Sequence, residues 1–454
     1  MKLTDLNIDC IEGILEHLEI DDLMSAADSN TRLRHAARFV YDRKYSEKTV
    51  SLLPGWNFES GSGPTRPEYI FYNVRSSFRL LRCFGHLVSG VLHLESAPDD
   101  YNENNENYCN LIGYIQEYCS ATLNKFYFTF DNQFEFFTLK KPFAKVTELR
   151  FNVKDQINAN LCALGDFDAI NITKDCLVRL FPAVQILEIS AECSQFVHSG
   201  CIANHFQQLE HLEITHCGSD WSSTCAEVYI DIIRKNPQLK KLNLYQKIMD
   251  MNMFQALSEN LQNLEYLEVN WFDIFISNFN GKLLHLNNLK HLSLRGPWPD
   301  NFVNPISFVQ LETMDIWMED KPIEYFDGLF PKIQSIETLI LRMCTPDAVN
   351  SLIENHGIIT KNFPFLVEFE VLAFCPISIS KVQRVMTIFK QLTVFEFGFS
   401  EDSEYTYLQK CLSTDWSLKY TKSRYIYSLD WLPVMLKRKN IKKLPLQDFR
   451  RFFN

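Results

Sequence analysis

Three six-residue segments recur every 25 residues in the middle of the chain. They read LKKLNL (239–244), LEYLEV (264–269) and LKHLSL (289–294). Each has apolar residues at its first, fourth and sixth positions, and the alternation over its last four residues is typical of a short strand with one buried side. One such strand per repeat predicts a solenoid, because a single repeat cannot bury its own apolar face and must stack on its neighbours.

The same pattern extends in both directions along the chain. Stretches with helical apolar spacing, such as 225–236, 254–263 and 382–391, lie between the strands. A strand followed by a helix in every repeat makes neighbouring strands parallel, so we predict an α/β solenoid with strands on its concave side and helices on its convex side. The fourth strand position falls, at intervals of 22 to 38 residues, on Leu92, Phe126, Leu149, Leu187, Leu212, Leu242, Leu267, Leu292, Met314, Leu339, Phe369 and Phe395.

These repeats resemble those of the leucine-rich repeat family. Cys217 and Cys344 each follow a strand by three residues, as in the cysteine-containing class of that family, where a small polar side chain bonds the backbone of the turn. Most of the other repeats lack Asn or Cys at this position, so irregular turns are expected. The longest intervals, near the start of the array, indicate insertions or a missed repeat.

Residues 3–45 differ from the rest because they contain no strand pattern. Apolar residues fall at helical spacing, and three short helices are expected. Asp21 or Asp22 would cap the second helix, and Asn30 or Thr31 the third. So short a segment rarely forms a stable core alone, so these helices should bind a partner or pack on the next part of the chain.

The same segment resembles the F-box, in the form common among insect proteins. The resemblance is carried by the phrase LNIDCI (6–11), by Leu18, by Asp22-Leu23, by AAD (26–28) and by Arg32-Leu33. The F-box is the motif through which substrate receptors dock on the Skp adaptor of cullin-based ubiquitin ligases. The resemblance implies an adaptor-binding surface formed by Leu6, Ile11, Ile14, Leu15, Leu18, Asp22 and Leu23.

The segment also departs from the usual F-box pattern. Asn7 stands where many members have proline, and Gly13 lies inside the first predicted helix, where glycine costs about 1 kcal/mol relative to alanine. Ser29-Asn30 replaces a Val-Cys pair, and Leu33 replaces an aromatic residue. The alternative interpretation is that residues 3–45 form an amino-terminal helical cap for the solenoid.

These features divide the chain into four parts. We assign 1–45 to the helical module, 46–80 to a linker and amino-terminal cap, 81–400 to about twelve repeats, and 401–454 to a carboxy-terminal cap with a basic tail. The polar stretch 98–108 is expected to be an exposed loop. In the cap, Trp416–Tyr420 and Tyr425–Leu429 could pair as a hairpin covering the open end. The basic tail is interpreted as a solvated end, a contact for an acidic partner or a nuclear address.

Composition narrows the range of partners and compartments. A formal net charge of −11 argues against a broad surface for nucleic acid. The acidic start is not a signal peptide, and no apolar run approaches the length of a membrane span. Thirteen cysteines without regular spacing are best interpreted as reduced thiols, in the cytoplasm or nucleus.

The predicted outward strand positions supply a candidate binding surface. One column contains several acidic residues, among them Glu188, Glu213, Glu268 and Asp315, and it also includes Ile340. We predict a groove for a basic or aromatic-anchored protein segment, with the aromatic side chains as its strongest contacts. The alternative is that these positions are simply hydrophilic. The predicted client-binding residues are Glu213, Tyr245, Tyr266, Glu268, Arg295, Asp315, Trp317 and Arg342.

Motifs for catalysis are missing from the sequence. No nucleophile elbow, phosphate loop, zincin helix or nucleotide fingerprint is present, so no enzymatic activity and no cofactor are expected. Cys193, His198, Cys201 and His205 could ligate zinc, but their spacing fits no common zinc finger. Buried thiols and ordinary histidines are the default interpretation, so no metal is expected.

The sequence therefore supports three hypotheses of function. The first is a substrate receptor of a cullin-type ubiquitin ligase, which binds the Skp adaptor through residues 3–45 and a protein client on the concave repeat face. The second is a leucine-rich repeat interaction scaffold without a ubiquitin role. The third is a metal-dependent enzyme built on the cysteine–histidine cluster.

Overall fold

The structure is a computed structural model of the 454-residue chain. It divides into two compact units, Met1–Gln238 and Leu239–Asn454, which are described separately. Both units are α/β, and parallel pairing dominates their sheets. The residues described are 3–52, 69–71, 74–93, 105–130, 141–153, 179–191, 201–215, 224–248, 251–270, 284–295, 306–307, 309–319, 321–327, 333, 335–399, 402–413, 415–420 and 432–438.

The first unit begins with a bundle of three helices, as the sequence predicts. They are α1 (Ile8–Leu15), α2 (Ile20–Ser29) and α3 (Thr31–Tyr45). The side chain of Asn30 accepts a hydrogen bond from Arg32 N at 2.8 Å and caps α3, which confirms one of the two predicted caps. The capping role predicted for Asp21 or Asp22 is wrong, because α2 starts earlier, with Glu19 as its N-cap residue.

The strands of the first unit follow this bundle. They are β1 (Thr49–Leu52), β2 (Tyr69–Phe71), β3 (Gly90–His93), β4 (Lys125–Phe130), β5 (Glu148–Val153), β6 (Ile186–Ala191) and β7 (His211–Thr215). Their order in the sheet is β2-β1-β3-β4-β5-β6-β7, and each pairing from β2 to β7 is parallel. The helices between and after the strands are α4 (Val74–Phe84), α5 (Asn105–Cys119), α6 (Cys201–His205) and α7 (Thr224–Lys235).

In the second unit, helices lie before the strand Tyr266–Asn270 and after the strand Thr338–Met343, and the described residues between these two strands contain no α-helix. Its helices are α8 (Met251–Asn260), α9 (Pro346–Glu354), α10 (Gly357–Asn362), α11 (Ile379–Ile388) and α12 (Asp402–Cys411). Its strands are β8 (Lys241–Ile248), β9 (Tyr266–Asn270), β10 (Leu284–His285), β11 (His291–Arg295), β12 (Ile306–Ser307), β13 (Thr313–Glu319), β14 (Thr338–Met343), β15 (Glu368–Pro376), β16 (Leu392–Phe399), β17 (Trp416–Tyr420) and β18 (Leu432–Arg438).

Pairing in the second unit is parallel until its last strands. The order of the main sheet is β8-β9-β11-β13-β14-β15-β16-β18-β17, and β10 pairs with β12 separately. β18 runs antiparallel to β16 and to β17, so the sheet ends in an antiparallel pair of strands. The sequence predicts that 416–420 pairs with 425–429, but 425–429 lies outside the described residues. In the structure, 416–420 pairs with the strand 432–438.

Alternation along the strands separates the core from the opposite face. In β14, Leu339, Leu341 and Met343 are buried, whereas Thr338, Ile340 and Arg342 are half-buried. Apolar helix positions such as Phe254 and Leu257 of α8 are also buried, as the helical spacing predicts. This burial of one side of each strand accounts for the six-residue pattern in the sequence.

Register tests the twelve predicted strand positions directly. Leu149 pairs with Phe126 and Leu187, and the ladder from Leu242 through Leu267, Leu292, Met314 and Leu339 to Phe369 is aligned as predicted. Leu92 is wrong, because the buried residue paired with Phe126 is its neighbour Val91. Phe395 is also out of line: it pairs with Val371, since the β15–β16 register shifts after Phe369.

Regular structure occurs in the predicted linker and cap and at the end of a predicted loop. The predicted linker and cap, 46–80, contains β1, β2 and part of α4, and Gly90 approaches β1 closely. The predicted exposed loop 98–108 overlaps the start of α5 from Asn105, while 98–104 lies outside the described residues. A strand as short as Thr49–Leu52 contains too few residues to show a recognisable alternation of apolar and polar positions.

We expect Gly13→Ala to stabilise the first unit by about 0.5–1 kcal/mol, because glycine inside a helix loses more backbone entropy on folding than alanine. A Cβ at Gly13 would have no atom within 4 Å, and the same is true of Gly113 in α5. At Gly85, by contrast, a Cβ would lie 2.6 Å from Tyr118 Cβ. Urea unfolding should show a gain for Gly13→Ala and Gly113→Ala and a loss for Gly85→Ala, and a loss at Gly13 would contradict the first expectation.

Candidate functional site

The half-buried side of the strands in the second unit carries a continuous polar network. We call this side the polar face, and it includes Lys241, Asn243, Tyr266, Glu268, His291, Ser293, Asp315, Trp317 and Arg342, which fall in three columns of the parallel register. Each column contains one residue from each strand, because the strands are aligned in register. Neighbouring columns on the same side are two residues apart, because successive side chains of a strand point to opposite sides. Residues from different repeats are thereby brought within hydrogen-bond distance.

Glu268 lies at the centre of the first part of this network. Glu268 is 5% exposed, and its carboxylate accepts hydrogen bonds from Tyr266 Oη at 2.8 Å and Asn243 Nδ2 at 3.1 Å, both on Oε2. The guanidinium of Arg295 forms an ion pair with the other oxygen, Oε1. A carboxylate with this set of donors is neutralised within the chain.

Asp315 lies at the centre of the second part. It is 5% exposed, and Arg342 binds it with two nitrogens, Nε to Oδ1 and Nη2 to Oδ2, each at 2.8 Å. Both Arg295 and Arg342 also pack on the ring of Trp317, with guanidinium carbons 4.8 Å and 5.3 Å from the ring centroid. The indole therefore lies between two arginines that are each paired with a carboxylate.

His291 and Tyr266 stack next to these pairs. Their ring centroids are 4.3 Å apart with planes 3° apart, and Lys241 Nζ lies 5.0 Å from the centroid of the Tyr266 ring. Burial lowers the pKa of His291 to about 4, with Arg342 and Lys241 acting in the same direction and Asp315 opposing them. Burial, followed by the neighbouring Glu268, raises the pKa of Tyr266, so both rings are neutral near pH 7.

The structure brings together six of the eight predicted client-binding residues: Tyr266, Glu268, Arg295, Asp315, Trp317 and Arg342. Their carboxylates do not form a negatively charged groove, because each is buried and paired with an arginine of the same face. Glu213 belongs to β7 of the first unit, and the side chain of Tyr245 in β8 lies outside the described residues. The prediction of a basic partner attracted by Glu268 and Asp315 is therefore not supported by their environment.

The first unit contains a second network that the sequence reasoning missed. Tyr127 Oη donates to Glu148 Oε1 at 2.7 Å, Arg150 Nη2 contacts the same oxygen at 2.7 Å, and Arg150 Nη1 pairs with Glu188 at 2.8 Å. Burial by itself would raise the pKa of Glu148, but the hydrogen bonds from Tyr127 and Arg150 outweigh it and lower the pKa. Glu188 was assigned to an outward column, but its arginine partner was not recognised.

Spacing could have revealed the arginine partners of the second unit. Arg342 follows Asp315 by 27 residues, and Arg295 follows Glu268 by 27. This is about one repeat plus two residues, which places each arginine diagonally across from its carboxylate on the next strand. A recurrent acid-to-arginine spacing slightly longer than the repeat predicts such pairs.

The polar face changes character at β14 to β16. Its half-buried residues here include Ile340, Leu372, Phe374 and Val394, which are apolar. The ring of Phe374 lies 5.5 Å from that of Trp317. Periodicity predicts that Ile340 points outward, but it does not predict an apolar group around it. The register of β15–β16 shifts after Phe369, and the regular repeat therefore does not place Val394 next to Glu370.

The helical module does not expose all seven predicted adaptor-binding residues. Ile11, Leu15 and Leu23 are at most 1% exposed and form the core of the α1–α3 bundle, so they cannot face a partner in this structure. Ile14 is 45% exposed, and Leu6, Leu18 and Asp22 are half-buried or exposed. Phe39 on α3, which was not among the predicted residues, is 63% exposed.

The bundle is attached to helix α4 by ionic and aromatic contacts. Asp28 accepts hydrogen bonds from Arg79 Nε at 2.6 Å and Arg82 Nη2 at 2.8 Å. Tyr41 is fully buried and stacks on Phe84 with ring centroids 4.5 Å apart. Burial would raise the pKa of Asp28, but Arg79 and Arg82 lower it, so the carboxylate is charged at neutral pH.

The predicted zinc ligands do not form a described site. Cys193 and His198 lie outside the described residues, as does the side chain of Cys201, and His205 is exposed at the end of α6. Within the described ranges, His, Cys, Asp and Glu do not form any group of three that could hold a metal ion. In the same part of the chain, every helix lacks the length and apolarity needed to cross a membrane.

Comparison with known proteins gives no family assignment. A scan against models of known protein families finds no match, and a search of curated proteins finds no significant one.

Proposed function

We propose that the protein is the substrate-recognition subunit of a cullin-type ubiquitin ligase. In this proposal residues 3–45 are an F-box that binds a Skp-type adaptor, and the strands belong to a leucine-rich repeat solenoid whose concave side binds a protein client. The chain does no bond chemistry itself but raises the effective concentration of the client near the transfer machinery.

The observation that carries the proposal is the arrangement of the F-box-like phrase on α1–α3. Ile14 is 45% exposed, and Leu6 and Leu18 are only half-buried. An apolar side chain left outside the core, next to a segment that resembles a docking motif, supports a surface for a partner. The parallel strands, one per repeat, support the solenoid.

We expect Ile14→Asp and Leu18→Asp to weaken binding of a purified Skp-type adaptor at least about tenfold, because a charge would replace an apolar contact. The measurement is pull-down by the full-length chain, followed by titration. Ile14 is exposed, so Ile14→Asp should leave the unfolding midpoint nearly unchanged. Leu23→Asp is unsuitable, since Leu23 is fully buried and its replacement would disrupt the bundle.

Phe39→Asp provides the matched control. Phe39 is the more exposed apolar residue, at 63%, and lies on the same bundle outside the predicted adaptor set. Adaptor binding that is equally sensitive to Phe39→Asp would argue against the F-box surface. A wild-type chain that does not bind the adaptor would contradict the ligase role.

The contacts between the helical bundle and α4 favour a second function, that of an interaction scaffold in which the bundle is a structural cap. The Asp28–Arg79–Arg82 cluster and the Tyr41–Phe84 stack make the bundle part of the core of the first unit. This is what a structural cap requires, and it supports an interaction scaffold without a ubiquitin role. The adaptor titration separates the two functions.

A further inference from the structure

The polar face of the second unit has a closed part and an open part. In the closed part, β8 to β13, the central side chains Asn243, Glu268, Ser293 and Asp315 are at most 6% exposed. Tyr266, His291 and the arginines of the ion pairs lie beside them. The carboxylates of Glu268 and Asp315 are already paired with these arginines, so a cationic partner would gain little by contacting them.

The open part lies on β13 to β16. We call it the apolar patch and define it as Trp317, Ile340, Leu372, Phe374 and Val394, all of which are half-buried. Trp317 faces Arg342 in the register, and Arg342 faces Leu372. Apolar side chains retained in contact with water on a sheet face are typical of a binding site, especially when an aromatic ring lies among them.

A carboxylate lies within this patch. Glu370 pairs in register with Ile340 on one side and Val394 on the other. It is two residues from both Glu368 and Leu372 on the same side of β15. Burial raises the pKa of Glu370, and repulsion from Glu368 adds to this, with Arg342 and Lys437 opposing. The site would gain from a positive charge brought next to Glu370.

We propose that the apolar patch binds an extended protein segment that carries an apolar anchor residue and, about two residues away, a lysine or arginine that pairs with Glu370. The anchor would contact Trp317, Leu372 and Phe374. The separation follows from the strand, since Glu370 and Leu372 are about 7 Å apart along β15 and an extended peptide rises about 3.4 Å per residue. The inference rests on the proposed function, because it states what the client of the receptor must carry.

A cationic protein segment fits this surface better than other macromolecules do. Carboxylates at 368 and 370 and a net charge of −11 disfavour phosphate backbones and anionic lipid surfaces. An opposite charge next to an apolar anchor also fixes the orientation of the bound segment.

The test is selection of a random twelve-residue peptide phage library on the immobilised full-length chain. We expect enriched peptides to share an aliphatic or aromatic residue and a lysine or arginine at the stated separation. Synthetic copies should lose at least about tenfold in affinity when that lysine or arginine is changed to glutamate, a measurement that requires no protein variant. Absence of enrichment, or enrichment without this pair, would overturn the proposal.

Charge reversal on the protein provides the second arm. Glu370→Lys should weaken the selected peptides at least about tenfold and should itself select acidic peptides with the same apolar anchor. Gln383→Lys, at an exposed position of α11, adds the same charge away from the patch and should leave affinity unchanged. Equal affinity of wild type and Glu370→Lys would overturn the proposal.

Adaptor binding by the same preparation separates this inference from the proposed function. A chain that binds the Skp-type adaptor but fails the peptide test contradicts the apolar patch alone. A chain that selects the predicted peptides without binding the adaptor supports the patch and removes the ligase role.

Discussion

Arg342→Ala is expected to lower the free energy of unfolding of the second unit by about 3–5 kcal/mol. The side chains of Arg342 and Asp315 are only 14% and 6% exposed, and two guanidinium nitrogens hold the carboxylate. Removing the arginine would leave the charge of Asp315 buried without its partner and would remove a guanidinium from the face of Trp317. Urea unfolding at neutral pH measures the loss.

An exposed ion pair of the same unit provides the control. Lys361 pairs with Asp327 at 2.9 Å, but the lysine side chain is 66% exposed. Lys361→Ala should therefore have a much smaller effect, because solvent replaces the lost partner. Changing both members of the buried pair, with Asp315→Asn and Arg342→Met, should recover part of the loss. Similar losses for Arg342→Ala and Lys361→Ala would contradict the assignment of a buried, neutralised network.

Lowering the pH from 7 to 4 is expected to remove about 3 kcal/mol of stability through His291 alone. The pKa of His291 is lowered to about 4 in the folded chain, whereas an unfolded histidine has a pKa near 6.5. Between these values the unfolded chain binds more protons, so stability falls as the pH decreases. The contribution is fully present above about pH 6.5 and is lost as the pH falls through about 4.

His291→Phe isolates this contribution. A phenyl ring can keep the stack on Tyr266 but does not titrate, so the difference in unfolding free energy between wild type and variant should be constant above pH 7. Towards pH 4 that difference should shift by about 3 kcal/mol in favour of the variant. Subtracting the two curves cancels the other groups that titrate over this range. A difference that does not change with pH would contradict the burial of a neutral imidazole.

Much of the strand alignment was accessible from the sequence. From Leu242 to Phe369 the buried position recurs at nearly constant spacing, because each strand must place an apolar residue at the same depth in the stack. The prediction failed where two neighbouring positions are both apolar, as at Val91 and Leu92. It also failed where the β15–β16 register shifts, because the spacing of apolar residues does not show where a strand contains an irregular residue.

The candidate site was only partly predictable. Sequence periodicity assigns Glu268 and Asp315 to the correct side of the sheet, but it does not show that Arg295 and Arg342 lie diagonally across from them. Glu268 and Asp315 therefore looked available for a partner, although both are paired with arginines of the same face. Burial of Ile11, Leu15 and Leu23 in the helical bundle was missed for a related reason, since a helical pattern marks apolar residues without stating what covers them.

The contacts of α4 with α2 and α3 bear on whether the amino-terminal helices can be transferred as a separate domain. A fragment ending at Tyr45 would expose the buried ring of Tyr41 and leave Asp28 without Arg79 and Arg82. Grafting this segment onto another protein would thus remove part of its own support. Within the first unit, a molecule bound to α1 would keep a fixed orientation relative to α4, because the bundle and α4 are joined by these contacts and not by a flexible linker alone.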